Sequence, residues 1–303
     1  MTRVQRALLV WYARHGRKDL PWRRTRDAYR ILVSEFMLQQ TQVERVLPKY
    51  QDFIETFPTL LALARAPSGQ VVRAWRGLGY NTRAVRLQRL AQDVAARYGG
   101  ALPHENRALR SLPGVGAYTA AAVRAFAFNQ DEVALDTNVQ RVVHRLVHGI
   151  EFPRLVPAAD VAHRARAMLP KGRAHDWNSA LMDLGALVCT ARAPKCARCP
   201  MRKECAAAPV DARALEGLRR ACAVPRSVQA RIPFARTTRF ARGRIVDRLR
   251  ELPSGRQISL LDLRFDLSDV LSSETLAGIE LLLQALERDG VVQREGQRLA
   301  LKD

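Results

Sequence analysis

Two carboxylates stand in surroundings that would divide acid and base work between them. Glu35 lies in "RDAYRILVSEFMLQ", where the positions three and four residues away are Ile31, Leu32, Leu38 and Gln39. A carboxylate set against an apolar stripe holds its proton more tightly than a solvated one, which suits a general acid. Asp136 sits in "ALDTNVQRVV", just before an apolar helical run. There it would be an ionised carboxylate at the positive end of a helix. One protonated and one ionised carboxylate is the pair that cleavage of a glycosidic bond requires. The first protonates the leaving group and the second stabilises an oxocarbenium-like transition state. Each residue also has a plainer reading. A single glutamate of this kind is more simply a surface residue flanking a buried face, and aspartate is among the best N-caps.

Four of the five cysteines fall in the spacing Cys189-x6-Cys196-x2-Cys199-x5-Cys205, and Cys222 stands apart. This crowding does not describe a disulfide framework of a secreted protein. Four thiolates so placed hold either zinc or an iron–sulfur cluster. Zinc ribbons usually show two short pairs, and the single short pair here favours the cluster. The first loop of the set carries Arg192 and Lys195, which puts positive charge where it could touch DNA.

The stretch "LPGVGAYTAAAV" joins a helix, "ENRALRSL", to a second one through Pro113-Gly114-Val115-Gly116. Glycines let a backbone approach a phosphate closely, and the free amides of a new helix point outward as anion binders. A plain helix–turn–helix corner fits the local pattern as well. Gln39, Gln40 and Gln42 in "LQQTQ" could end a helix, or could enter a duplex beside an extruded base.

The bulk composition tips the balance for the hairpin toward phosphate. Lys and Arg number 50 against 29 Asp and Glu, a net charge of +21, and the basic residues are spread along the chain. An isoelectric point near 11.0 favours a polyanionic partner, with nucleic acid ahead of an anionic membrane surface. No segment holds the roughly 18 consecutive apolar residues of a membrane helix, and the N-terminus carries no signal-peptide pattern.

The elements that must carry these residues read mostly as helix. Asp27 is placed to cap the helix bearing Glu35. "RAVRLQRLAQDVAARYGG" is amphipathic and stops at Gly99-Gly100, while "NVQRVVHRLVHG" puts Val139, Val142, Val143 and Leu146 on one face. The reading is an all-helical body over 1–206 with a loop of cysteines at 189–205. A linker over 207–237 follows. The last part, 238–303, holds two helical segments and a short hairpin around Glu295-Gly296, a winged-helix-like α+β pattern.

Taken together, "SEFMLQQTQV", "WRGLGYNTRA", "LPGVGAYTAAAV", "LDTNVQRV" and "MDLGALVCTARAPKCARCPMRKEC" resemble the helix-hairpin-helix DNA glycosylases of the endonuclease III superfamily. Within them the chain is most similar to the MutY-type adenine glycosylases. The resemblance covers roughly residues 5–206. It implies an all-α, two-lobed glycosylase fold flanking a DNA cleft, with a [4Fe–4S] cluster on Cys189, Cys196, Cys199 and Cys205. It implies that Glu35 protonates the departing adenine, that Asp136 stabilises the sugar cation, and that Asn138 belongs to the catalytic neighbourhood. Gln40 and Tyr80 match residues that wedge into the duplex beside the damaged guanine. Leu38 and Trp22 match positions near the flipped adenine, and Gly114, Val115 and Gly116 are the hairpin turn that grips phosphate.

Tyr118 then carries a specific implication. In the related endonuclease III branch this hairpin position is a lysine, whose amine forms a Schiff base with the sugar and leads to strand cleavage. A phenol cannot, so the resemblance implies a monofunctional enzyme that leaves an abasic site. The expected substrate is double-stranded DNA with adenine opposite 8-oxoguanine or guanine. The alternative is thymine or uracil opposite guanine, and a third reading is a non-catalytic DNA binder that uses its winged helix. The chain is expected to act as a monomer in a bacterial cytoplasm, on the nucleoid. It departs from the MutY-type pattern in four places. Residues 238–303 are too short for a Nudix-like domain, Asn81 replaces a second tyrosine after Tyr80, and Ser179 and Lys18 stand where some relatives have Glu or Gln and Arg.

Overall fold

The computed structural model describes residues 1–223 and 232–302. In chain order its helices are α1 (Arg3–His15), α2 (Ala28–Leu38), α3 (Val43–Thr56), α4 (Leu60–Arg65), α5 (Ser68–Ala74), α6 (Thr82–Tyr98), α7 (Asn106–Arg110), α8 (Ala117–Phe126), α9 (Thr137–Val147), α10 (Ala158–Ala167), α11 (Ala174–Leu187), α12 (Ala212–Ala221) and α13 (Thr238–Glu251). Then come β1 (Ile258–Ser259), α14 (Leu260–Asp266), α15 (Ser273–Ala277), α16 (Ile279–Arg288), β2 (Val292–Glu295) and β3 (Arg298–Leu301). Among the described residues no helix is long and apolar enough to cross a membrane.

These elements form two compact units. One contains Met1–Glu35, Pro103–Ser111 and the described residues from Val115 to Ala223; the other contains Phe36–Leu102, Leu112–Gly114 and the described residues from Ile232 on. In the first unit, Leu8 and Tyr12 of α1 pack with Val139, Val142, Val143 and Leu146 of α9 and with Trp177, Leu181 and Leu184 of α11. The α9 face is the one that the 3.6-residue period predicts. Local signals set the ends of the helices. Thr2 and Gln5 form a reciprocal capping box on α1, and the Arg30 N–H donates to Asp27 Oδ1 at 2.8 Å. In the second unit α6 ends at Gly99, whose φ of 62° puts it in the left-handed region.

The C-terminal part of the second unit has the order helix, strand, helices and two-stranded wing. Its antiparallel sheet runs β1-β3-β2, with Val292 opposite Leu301 and Glu295 opposite Arg298. The hairpin around Glu295-Gly296 is the expected one, and β1 adds a third strand that the sequence reading lacks. This part shares its core with the helical body. Ile245, Val246 and Leu249 of α13 and Leu283 of α16 are buried in one cluster with Val72 of α5 and Val85 of α6. Arg250 donates to the Val72 carbonyl at 2.8 Å and to Asn81 Oδ1 at 2.8 Å. The residue that departs from the tyrosine pattern is therefore the one that receives α13.

The stretch 207–237, expected as a linker, contains regular structure. Asp211 accepts from the Ala214 N–H at 2.7 Å and caps α12, which buries Leu215, and Phe234–Arg236 form a 3-10 turn. One buried residue in a helix of Arg and Ala is too weak a periodic signal to register in sequence. Residues 224–231 of that stretch lie outside the described residues.

Candidate active site

Glu35 lies near the end of α2 and is only 8% exposed. Burial strips water from its carboxylate and pushes its pKa up from 4.5 to about 7; the nearby charge of Asp136 pushes the same way. A hydrogen bond from the Tyr118 hydroxyl and the charge of Arg23 oppose the rise without cancelling it. Tyr118 sits in the first turn of α8, behind Gly116, which stands at the N-cap without a side-chain cap. Burial, then the negative charges of Glu35 and Asp136, raise the phenol well above its usual value, so it stays protonated and donates to Glu35. Its second-unit neighbour in sequence, Gly114, has φ of 78°, and a Cβ there would meet the Phe36 ring at 3.1 Å. Val115 is buried, and the space around Gly116 is open.

Asp136 is the N-cap of α9. Its Oδ1 accepts from the Val139 N–H at 2.6 Å, and its Oδ2 accepts from Asn138 Nδ2 at 3.2 Å. Asn138 in turn accepts through Oδ1 from Arg141 Nη2 at 2.8 Å. The same guanidinium donates to the Gly185 carbonyl at 2.8 Å and to the Cys189 carbonyl at 2.9 Å. A Cβ on Gly185 would lie 2.7 Å from the Asn138 Cβ, so only glycine lets α11 approach here. The capping bond and the glycosidase carboxylate readings of Asp136 are thus not alternatives. The N–H bond orients a carboxylate whose second oxygen is held by a side chain.

Two contributors are absent from the sequence reading. Arg23 sits over the Phe126 ring at 5.2 Å, and its charge opposes the rise in pKa of both Glu35 and Tyr118. Arg141 links Asn138 to the cysteine loop. One arginine among 50 basic residues carries no local mark of such a role. Trp22, beside Arg23, is buried at 6% exposure in the 3-10 turn Pro21–Arg23.

Cys189, Cys196, Cys199 and Cys205 border one small cavity with Val188, Pro194 and Arg145, and all four are free thiols. Burial pushes Cys199 up to about 11 and raises Cys189 and Cys205 as well. Arg145, 1% exposed, donates to Cys189 Sγ at 3.7 Å and to the Thr190 carbonyl at 2.8 Å. Among the described residues no three His, Cys, Asp or Glu side chains converge on one ion position. Four sulfurs around a shared apolar cavity, with a buried cation beside them, are a donor set that a multi-atom anionic cluster fits. Arg192 and Lys195 are exposed on this loop.

Leu38, Gln40, Tyr80 and Gly114 belong to the second unit. Gln40 and Tyr80 are both exposed and both left-handed, with φ of 55° and 45°. Non-glycine residues in that region cost about 1–3 kcal/mol each and need a surrounding that enforces them. Arg83, 5% exposed, is that surrounding. Its guanidinium donates to the carbonyls of Phe36 (2.9 Å), Met37 (2.9 Å) and Gln39 (2.6 Å) at the end of α2 and to Thr41 Oγ1 (3.1 Å), which brackets Gln40. It also donates to the carbonyls of Leu78 (2.9 Å) and Gly79 (3.2 Å), which lead into Tyr80. Leu38 is half-buried at the start of the bracketed turn.

With this geometry in place, the relationship to known proteins is direct. Residues 33–153 match the HhH-GPD superfamily of base excision DNA repair proteins, and the chain belongs to that superfamily. It is 44% identical over 249 residues to the adenine DNA glycosylase of Mycolicibacterium smegmatis, covering 80% of this chain and 79% of that protein. It is 38% identical over 207 residues to a thymine-DNA glycosylase of Aeropyrum pernix, covering 67% of this chain and 92% of that protein. The solved structure of a thermostable thymine-DNA glycosylase superposes with a TM-score of 0.62 at 33% identity, over 67% of this chain and 93% of that one.

Proposed function

We propose that this protein is a monofunctional DNA glycosylase of base excision repair that removes adenine mispaired with 8-oxoguanine or guanine. The observation that carries the mechanism is the buried Glu35, with its pKa near 7, hydrogen-bonded by Tyr118 and sharing its surroundings with Asp136. Protonated Glu35 gives its proton to the departing adenine as the bond between base and sugar breaks, and the bonding electron pair leaves with the base. The Asp136 carboxylate, held by the Val139 N–H and Asn138, faces the positive charge that develops on the sugar. Water adds to that carbon, and its proton returns to the carboxylate pair. Free adenine and an abasic site result. Tyr118 keeps its proton and offers no amine, so no covalent sugar adduct forms and the strand stays intact.

Gln40 and Tyr80, on turns enforced by Arg83, would enter the duplex. Trp22 and Leu38 would each come near the extruded adenine, and Gly114 to Gly116, Arg192 and Lys195 would hold phosphates. Cys189, Cys196, Cys199 and Cys205 would hold a [4Fe–4S] cluster, whose part here is to order the loop that Arg141 and Arg145 tie to α9. The protein would work as a monomer on the bacterial nucleoid, with residues 1–206 as the catalytic body and 238–303 as an appended domain.

The test is base release from duplexes carrying A:8-oxoG, A:G, T:G and U:G, with and without alkali. Adenine release, with strand breaks only after alkali, is expected. Release of thymine or uracil instead would place the chain with its thymine-DNA glycosylase relative and sink the adenine reading.

A further inference from the structure

Within the second unit, a cleft of about 630 Å³ opens between residues 77–82 and α13. That is within the roughly 300–1,000 Å³ of small-ligand sites. Six arginines and two aspartates line it, four positive charges in excess. Both aspartates are already paired, Asp247 with Arg244 and Arg250, Asp289 with Arg242. Arg45, Arg86 and Arg239 remain exposed on the lining, and none has an ion pair with a described carboxylate.

The aromatic residues of the cleft are arranged in line with these charges. The Arg239 guanidinium lies 3.9 Å from the Tyr80 ring centroid and 5.7 Å from that of Phe234. Phe234 meets Phe240 edge-on at 5.6 Å, and Arg83 lies 5.6 Å from the Tyr80 ring on the buried side. Guanidinium and ring thus alternate through Arg83, Tyr80, Arg239 and Phe234, from the start of α6 to the start of α13. Phe234, a large apolar ring, is 59% exposed. Rings left open beside unpaired guanidiniums are what a nucleotide needs: a π-face for its base and cations for its phosphate.

We propose that this cleft is a nucleotide-binding subsite through which the appended C-terminal domain joins the DNA interface. One nucleotide of the bound DNA stacks its base on Phe234, Arg45 and Arg86 take the flanking phosphates, and Arg239 stays stacked on Tyr80 as the wall between them. The assignment rests on the reading of the chain as a DNA-processing enzyme, and it makes the loop holding Tyr80 and the domain carrying α13 a single binding element.

The experiment measures affinity of the full-length protein for a duplex containing a tetrahydrofuran abasic analogue, across 50 to 200 mM salt, with free deoxyadenosine monophosphate as a second ligand. For the doubly substituted Arg45→Ser, Arg86→Ser protein, the slope of log affinity against log salt is expected to fall in magnitude by about 1.8, the value for two lost phosphate contacts. Phe234→Ala is expected to lose about tenfold in affinity with the slope unchanged. Arg239→Lys, which keeps the charge and loses the planar stack, should do the same to a lesser degree and covers the case in which removal of Phe234 disturbs the domain. Wild-type affinity and slope in all three proteins would overturn the proposal. So would a cleft that binds the free nucleotide while duplex affinity stays unchanged in the variants. The analogue carries no base to release, so a protein that frees no adenine yet shows these changes retires the glycosylase reading alone.

Discussion

The Tyr118 hydroxyl donates a hydrogen bond to the Glu35 carboxylate, and both groups are withdrawn from water. The bond lowers the Glu35 pKa while burial raises it, and burial wins. Glu35 therefore titrates in the range where a general acid is most useful, and Tyr118 limits how far its pKa rises.

The first prediction is a pH profile. Glu35 must be protonated to act, so single-turnover base release should be level below about pH 7 and fall about tenfold per unit above it. Stability follows the same group. With a pKa of 4.5 when unfolded and about 7 when folded, the folded protein binds the proton more tightly. Its contribution is largest below pH 4.5, declines as pH rises through 4.5 to 7, and then levels, by about 3 kcal/mol in all. Glu35→Gln should abolish base release and raise Tm at pH 8 relative to wild type. A variant that melts lower at pH 8 would contradict the buried carboxylate.

Tyr118→Phe removes a bond that favours the ionised form of Glu35. The alkaline limb of the rate profile should move to higher pH rather than lower. Tyr118→Lys places an amine in the same turn, and borohydride trapping of a covalent DNA adduct is the expected gain. A Phe variant whose limb moves down would show that the phenol does not donate to Glu35.

Asp136→Asn keeps a side chain able to accept the Val139 N–H but loses the charge. Base release should drop by at least about a hundredfold while duplex binding is retained. Arg141→Gln cuts the links to Asn138, Gly185 and Cys189 together, leaving carbonyls unpaired. A stability loss of about 2–3 kcal/mol is expected with a partial loss of rate. Denaturant unfolding and single-turnover assays on the same preparation separate the two effects.

Cys199→Ser should lower the iron content per chain and the visible absorbance of the purified protein, since a hydroxyl is a poor substitute for a soft thiolate ligand. Cys222→Ser serves as the control, because Cys222 is exposed and lies outside the four-cysteine cavity. Equal iron in both variants would remove Cys199 from the ligand set.

Arg83→Met withdraws one buried cation from five carbonyls and a hydroxyl. Hydrogen bonds to charged groups contribute about 1.5–3 kcal/mol, and unpaired buried carbonyls cost more on top, so destabilisation of at least about 3 kcal/mol is expected. Proteolysis should then begin at the turns holding Gln40 and Tyr80, which lose the group that enforces their left-handed backbone.

Features that act over three or four residues were legible in the sequence by itself: Asp136 and Asp27 as caps, the stop of α6 at Gly99, the apolar face of α9, and the hairpin ahead of Tyr118. So was the four-cysteine spacing. Only the tertiary structure decided whether Glu35 is a surface glutamate or a buried acid, because its burial depends on α8, more than eighty residues further along. The same holds for Arg83, which bonds to carbonyls 44 to 47 residues away. It holds again for Arg250, which finds Asn81 across 169 residues, and for the core that the C-terminal domain shares with α5 and α6. Capping and periodicity are written in neighbouring side chains. The partner of a buried charge is chosen by which desolvated acceptors the folded chain brings to it, and a basic chain of 50 Lys and Arg does not mark in advance which ones will be buried.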